Sequence, residues 1–359
     1  MRVAVVAPPF IPVPPKRYGG TELFVGYLVQ SLKAHGIDVV LYATGDSTAK
    51  VEVRFLYPKS EWPLEGEIFS NLKDVNHTFW AVEDAMHDCD ILHLNNAPGL
   101  AATRFVNVPV VYTVHHPRQN LLSDFYASYP DINYVMISDS QKSFEAMPKM
   151  TTIHHGISMD DYQFQKQKQP YLSFIGRFAP VKGPHIAIEV AKKLGIPLRM
   201  AGEVQPQFKD YFENEVKPHI DGKFVEFIGE ADQQIKNELL GNSMALLFPI
   251  EWDEPFGLVM IEAMACGTPV IALRGGSVAE VVCDGISGYV CENADQMVER
   301  IRNLSIPSAS VRHYAEMNFS TEKMAKDYAR LYESLITNAD LVLPETDTIS
   351  FTIEPGTAA

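Results

Sequence analysis

Four charged side chains stand out by type and spacing. Arg177 and Lys182 lie between Gly176 and Gly183, and Glu254 and Glu262 have seven residues between them. Two cations and two glycines in one turn suit a phosphate group, arginine offering a planar fork and lysine a compact charge. Glu254 runs into Pro255-Phe256-Gly257, which is a comfortable helix opening, and Glu262 follows along that helix. The N–H groups after Pro255 are then free, and the positive end of the helix favours a negative ligand. A pair of carboxylates could serve acid–base chemistry. At ~1.5 Å of rise per residue, however, the two stand roughly 10 Å apart along the axis. That is too far to chelate one metal ion and suits gripping two ends of an elongated, polyhydroxylated, phosphorylated ligand. Ile261, Ala263, Met264 and Ala265 flank Glu262 with apolar or small groups, which argues against a simple solvated face.

Two further places carry weaker signals. Gly19-Gly20 follows the first strand and its loop, where paired glycines let backbone approach a ligand and expose N–H donors at a helix start. By itself such a pair is equally a flexible turn. His115 and His116 close the strand that starts at Val110, and strand carboxyl ends collect ligand contacts in open α/β sheets. Sequence alone does not say which of the two acts.

These residues need a scaffold of strand ends facing helix starts. Apolar runs predict strands over 2–7, 38–42, 91–94, 110–113, 134–137 and 152–154, with a helix from Gly20 to about His35. The polar run 162–169, ended by Pro170, breaks the rhythm, so the linker is set at 161–170. Strands are then expected over 172–175, 197–201, 225–228, 245–248 and 269–273, with helices between. This is α/β alternation of two doubly wound, Rossmann-like domains, 1–160 and 171–318, with a ligand in the cleft between their strand carboxyl ends. A last amphipathic helix is expected over 321–337, and the tail 338–359 lacks periodicity and is expected to be loosely held.

Composition narrows the partners. The 359 residues carry a net charge of −15, which disfavours nucleic acid and stable docking on anionic membranes. No run reaches the ~18 apolar residues of a membrane span, and the N-terminal run breaks at Pro8. Cys89, Cys266, Cys283 and Cys291 form no Cys-x-x-Cys pair and read as free thiols of a soluble, cytoplasmic protein.

Taken together, these residues resemble the retaining glycosyltransferase family 4, over about residues 1–337. The stretch from Glu254-Pro-Phe-Gly-Leu-Val-Met-Ile-Glu262 to Ala272 matches that family's Glu-x7-Glu motif. The segments 275–282 and 284–289, the Gly176-Arg177…Lys182-Gly183 turn and the Gly19-Gly20 loop match its other motifs. The resemblance implies the GT-B fold and a nucleotide-diphosphate sugar as donor co-substrate, with no cofactor and no metal. It implies that Arg177 and Lys182 neutralise the diphosphate, Glu262 binds the ribose, and Glu254 contacts the transferred sugar. Backbone N–H groups of Phe256, Gly257, Leu258 and Val259 would support sugar and phosphate. His115 would touch the donor sugar, Gly20 with Gly19 would approach the diphosphate, and the last helix would cross back onto the N-terminal domain. His155 and Ser158 depart from the family pattern in an interdomain stretch. Asn95 replaces a frequent histidine, and no role is attached to it.

The expected activity is transfer of a hexose, from UDP-glucose first and GDP-mannose second, to a hydroxyl-bearing and soluble acceptor. The loops Pro12–Tyr18 and Pro117–Tyr129 would read that acceptor, and Phe125, Tyr126 and Tyr129 suggest that it has an apolar or planar part. The alternatives are another sugar-nucleotide enzyme such as an epimerase, and a non-catalytic nucleotide-sugar binding protein. A phosphorylase would need a pyridoxal lysine, which nothing flags. A nicotinamide dehydrogenase would need a Gly-x-Gly-x-x-Gly after the first strand, which is missing.

Overall fold

A computed structural model describes residues 1–15, 19–62 and 67–341. Among these residues, two sheets form from short apolar runs buried on both faces. The first has strands β1 Arg2–Val6, β2 Asp38–Tyr42, β3 Glu52–Arg54, β4 Ile91–Leu94, β5 Val110–Val114, β6 Asn133–Met136 and β7 Met150–Thr152. Its order is β3-β2-β1-β4-β5-β6-β7, all parallel. The second has β8 Leu172–Ile175, β9 Leu198–Ala201, β10 Val225–Gly229, β11 Ala245–Phe248, β12 Val270–Leu273 and β13 Gly288–Cys291. Its order is β10-β9-β8-β11-β12-β13, again all parallel. The strand order turns back beside β1 and β4 in one sheet and beside β8 and β11 in the other. Such switch points open crevices at the strand carboxyl ends. Among the described residues, no helix is long and apolar enough to cross a membrane.

Helix Gly20–Ala34 buries Phe24, Val25, Leu28, Val29 and Leu32. The last helix, Thr321–Leu341, packs against it. Tyr332 bonds through its hydroxyl to His93 Nδ1 at 2.7 Å, and Tyr328 to Thr113 at 2.9 Å. The far end of the chain therefore completes the core of the first domain. This helix runs four residues past its expected end at Thr337, and residues 342–359 of the expected tail lie outside the described residues.

Several expectations need correction. β7 ends at Thr152 because the next residues leave the sheet for the cleft: Ile157 bridges to Ser320, and a Cβ on Gly156 would lie 2.4 Å from the Ser320 carbonyl oxygen. β3 was not expected. It is a three-residue polar edge held by Arg54, which pairs with Glu52, Asp84 and Asp88. β13, four residues long, is another short edge strand that sequence reading missed. Within the loop 117–129 lies a helix, Asn120–Ala127. Tyr126 and Tyr129 are core residues there, and Phe125 is partly buried against the same cluster, so none of the three is an acceptor-facing aromatic. The expected linker 161–170 is tied along the second domain. Tyr162 is buried, Gln165 N–H donates to the Cys266 carbonyl at 3.1 Å, and Lys168 Nζ donates to the Gly241 carbonyl at 2.7 Å and Thr268 Oγ1 at 2.8 Å.

Candidate active site

The wall built by the second domain begins at the end of β8, where the chain enters Gly176 and Arg177. A single tight turn, Pro180–Lys182, then aims Lys182 into the cleft. Gly183 is required there: its φ is +67°, and a Cβ would fall 1.9 Å from the Pro249 carbonyl oxygen. From the end of β11 the chain reaches Trp252 and Glu254, and helix Leu258–Ala265 starts after Gly257. Lys182 and Glu254, which sequence reading assigned to different parts of a ligand, are bonded directly to each other. Trp252 Nε1 donates to the same Glu254 oxygen at 2.8 Å, and the Lys182 ammonium stands 4.6 Å from the Trp252 ring centroid. Burial pushes the Lys182 pKa down, and the Glu254 carboxylate opposes that shift.

Glu262 is 2% exposed, because its helix face packs into the domain. Its Oε1 accepts from the Tyr162 hydroxyl at 2.9 Å and from Lys236 Nζ at 2.8 Å. Arg177 contacts Gln205 Oε1 at 3.4 Å and makes no ion pair among the described residues. The two carboxylates thus each hold one lysine, while the guanidinium retains an unneutralised charge.

The wall built by the first domain is neutral where it meets this one. The Asn95 side-chain nitrogen donates to the Val6 carbonyl at 3.1 Å, which turns its oxygen toward His115 Nε2 at 2.9 Å. That network puts the proton of His115 on Nε2 and leaves Nδ1 as an acceptor. Burial, then the neighbouring His155, His93 and His116, hold His115 well below the ordinary histidine range. Its ring stacks on His155 at 5.7 Å and packs against Phe24 at 4.8 Å. His116 instead bonds to the Tyr126 hydroxyl and to its own neighbour's carbonyl at Pro117. Gly20 is open: a Cβ there meets nothing within 4 Å.

One cavity of about 290 Å³ is lined by Gly19, Gly20, Arg177, Lys182, Glu254, Gly257, Leu258, Val259 and Glu262. An adjoining one shares six of these and adds His115 and Phe256. All eleven residues singled out in the sequence therefore meet in one continuous cleft. Leu258 and Val259 open a helix, where N–H groups lack intrahelical partners. Sequence reading missed Trp252, Lys236 and Tyr162, which set the carboxylates, and Asn95 and His155, which set His115. It also missed Glu280 as a clasp between domains. Glu280 accepts N–H bonds from Asp139 at 2.7 Å and Ser140 at 2.6 Å, and lies 3.2 Å from His154 Nε2. Each of these sits alone in the chain, so only an uncommon residue type, as at Trp252, could have flagged it.

Two family models match, Glycosyltransferase Family 4 over residues 18–160 and Glycosyl transferases group 1 over residues 159–317. Glycogen synthase of Mycobacterium tuberculosis is 27% identical over 238 residues, 58% of this chain and 56% of that protein. This chain thus spans about half the length of that curated relative. Phosphatidyl-myo-inositol mannosyltransferase of Mycobacterium leprae is 26% identical over 385 residues, 95% of this chain and 99% of that protein. Among solved structures, Anabaena HepE in complex with UDP and glucose superposes with a TM-score of 0.71 at 18% identity, covering 93% of this chain and all of that one.

Proposed function

The chain belongs to glycosyltransferase family 4 and has the GT-B fold, and from that premise we propose that it moves a hexose from a nucleotide-diphosphate sugar to a hydroxyl acceptor with retention. The observation that carries this reading is the cleft wall on which Arg177, Lys182 and the start of helix Leu258–Ala265 face one cavity with Glu254 and Glu262. Fixed positive groups there oppose the charge that grows on a leaving diphosphate. Glu262, held by Tyr162 and Lys236, presents its second oxygen to ribose hydroxyls. Glu254 meets the sugar, and Lys182 with Arg177 meets the phosphates.

The reaction breaks the bond between the anomeric carbon and the diphosphate oxygen. The acceptor oxygen bonds to that carbon on the same face, and its proton passes to the departing phosphate. Neutral His115 offers a hydrogen-bond acceptor to the sugar and no positive charge. UDP-glucose is the first donor to try, supported by the neighbour solved with UDP and glucose. GDP-mannose is the second, given the mannosyltransferase relative. Four unpaired cysteines and a nucleotide-sugar donor fit a cytoplasmic enzyme with a soluble acceptor.

The test is turnover of each donor with a panel of hydroxyl acceptors in EDTA, with the product linkage read by NMR. An α-linked product is expected. Complete loss of turnover in EDTA would overturn the metal-free step. An isomerised donor formed without acceptor would make the protein an epimerase, and a Glu254→Ala variant as active as the parent would remove the site assignment.

A further inference from the structure

Helix Glu67–Ala85 lies on the first sheet through His77, Ala81, Val82 and Ala85, all buried. Its other face is apolar and bare. Ile68, Leu72, Val75 and Phe79 stand out from it, the first two 79% and 62% exposed. They follow one another at four, three and four residues, the spacing of a coiled-coil seam. Past Phe79 the face runs into an open cavity of about 700 Å³, lined by Leu56, Trp80, Met86 and Phe105. None of these residues lines the donor cleft.

Apolar residues exposed singly are ordinary, but a contiguous row of them is not. Phe69, Phe79 and Phe105 are 57%, 40% and 81% exposed. At ~150–250 Å² per aromatic side chain, they leave roughly 270–450 Å² open. Ile68, Leu72, Val75 and Leu56 carry the patch past the few hundred Å² of a typical monomer, toward the ~800 Å² that each partner buries in a standard interface. Charge then separates a bilayer from a protein as the occupant. Over 67–88 the one lysine or arginine is Lys73, against Glu67, Asp74, Glu83, Asp84 and Asp88. Lys73 is buried and paired with Glu61 at 2.7 Å. Helices that lie on membranes carry lysine and arginine beside their apolar face, and this one does not.

We propose that this face is the interface of a homodimer, with a second copy of the chain laid antiparallel along helix Glu67–Ala85. The seam is self-complementary, because its spacing reads the same in both directions. About a two-fold axis midway between Leu72 and Val75, Ile68 of each copy meets Phe79 of the other, and Leu72 meets Val75. Apolar groups thus face apolar groups in every layer. Phe69, Asn71 and Asn76 flank the centre and are uncharged, so the two-fold brings no like charges together there. The second copy's Ile68 comes to the mouth of the cavity beside Phe79 and gives that cavity an occupant. The dimer does not depend on the transferase reading.

The experiment is analytical ultracentrifugation of the full chain at micromolar concentration, with Leu72→Glu and Ile68→Glu variants whose fold is checked by circular dichroism. The parent is expected to sediment as a dimer, and each variant to raise the dimer dissociation constant at least tenfold. Oxidative cross-linking reads the pairing itself. A disulfide needs Cα atoms ~4.4–6.8 Å apart. Position 68 and its own copy would lie roughly 16 Å apart along the antiparallel helices, at ~1.5 Å per residue. An Ile68→Cys chain mixed with a Phe79→Cys chain is therefore expected to link several-fold more than either alone, with the parent as background for the native cysteines. A parent that sediments as a monomer overturns the proposal, whether or not it floats with vesicles of phosphatidylcholine and phosphatidylglycerol. So does a dimer indifferent to both Leu72→Glu and Ile68→Glu, or one in which Ile68→Cys links to itself as readily as to Phe79→Cys.

Discussion

The two walls of the cleft hold their polar groups by opposite means. The second domain sets charge against charge, with Lys182 on Glu254 and Lys236 on Glu262. The first domain uses neutral rings and amides, with Asn95 on His115 and His93 between Tyr332 and Thr113. Charge belongs where a diphosphate departs, because a buried ion pair keeps its strength there and needs no reorganisation. Neutral donors and acceptors belong where hydroxyls are to be distinguished, since a fixed charge attracts any counter-charge while a hydrogen bond demands geometry.

The severest way to break this contrast is Lys182→Ala. It leaves Glu254 facing Trp252 without its cation. Turnover is expected to fall by roughly 10²–10³, and stability by about 3 kcal/mol, read by product formation and by thermal unfolding. A variant with parental turnover would end the electrostatic account of the donor wall.

Acid probes the buried neutral histidines of the first domain, of which His155 lines the cleft. Burial lowers His77 to about 4, and His93 and His155 to about 3. Their folded values lie below the unfolded value near 6.5, so the unfolded chain binds more protons below that pH. Their stabilisation is present above pH 6.5 and is lost as the pH falls, by roughly 2 kcal/mol per histidine at pH 5. Glu22 acts in the other sense: its folded pKa of about 7 exceeds the unfolded value, so it costs stability as the pH rises through that range. The midpoint of thermal unfolding should therefore drop between pH 7 and pH 5, and more steeply in Glu22→Gln. A flat profile in both proteins would mean that these histidines are solvated.

The smallest effect comes from one carbon at the seam of the two walls. Gly20→Ala adds a Cβ into open space. Its unfolding midpoint should match the parent, while donor affinity falls about tenfold, or ~1.4 kcal/mol, by titration calorimetry. Unchanged affinity would place the donor away from Gly20.

The donor wall was readable in the chain because its parts lie in two short segments, each marked by glycines and charges. Glu254 lies in the turn before helix Leu258–Ala265 and Glu262 lies within that helix, so helix rise accounts for only the last part of their separation. The partners of those residues were not readable: Lys236, Tyr162 and Asn95 are isolated, and only tertiary folding brings them in. Strand alternation exposed both sheets, since buried parallel strands are continuous apolar runs. It failed at β3 and β13, edges of three and four residues, and in 120–127, where an amphipathic helix hid among aromatics taken for ligand contacts.

The last helix carries a consequence for how the chain matures. His93 and Thr113 lie in strands of the first domain, yet their partners Tyr332 and Tyr328 are made 239 and 215 residues later. During synthesis at about 5–20 residues per second, His93 and Thr113 wait for these partners while the second domain is made, and one flank of the first domain's core stays uncovered. The domain that leaves the ribosome before its neighbour becomes native after it, and a chain broken before Tyr328 would release a first domain with a sticky flank for chaperones and proteases to find.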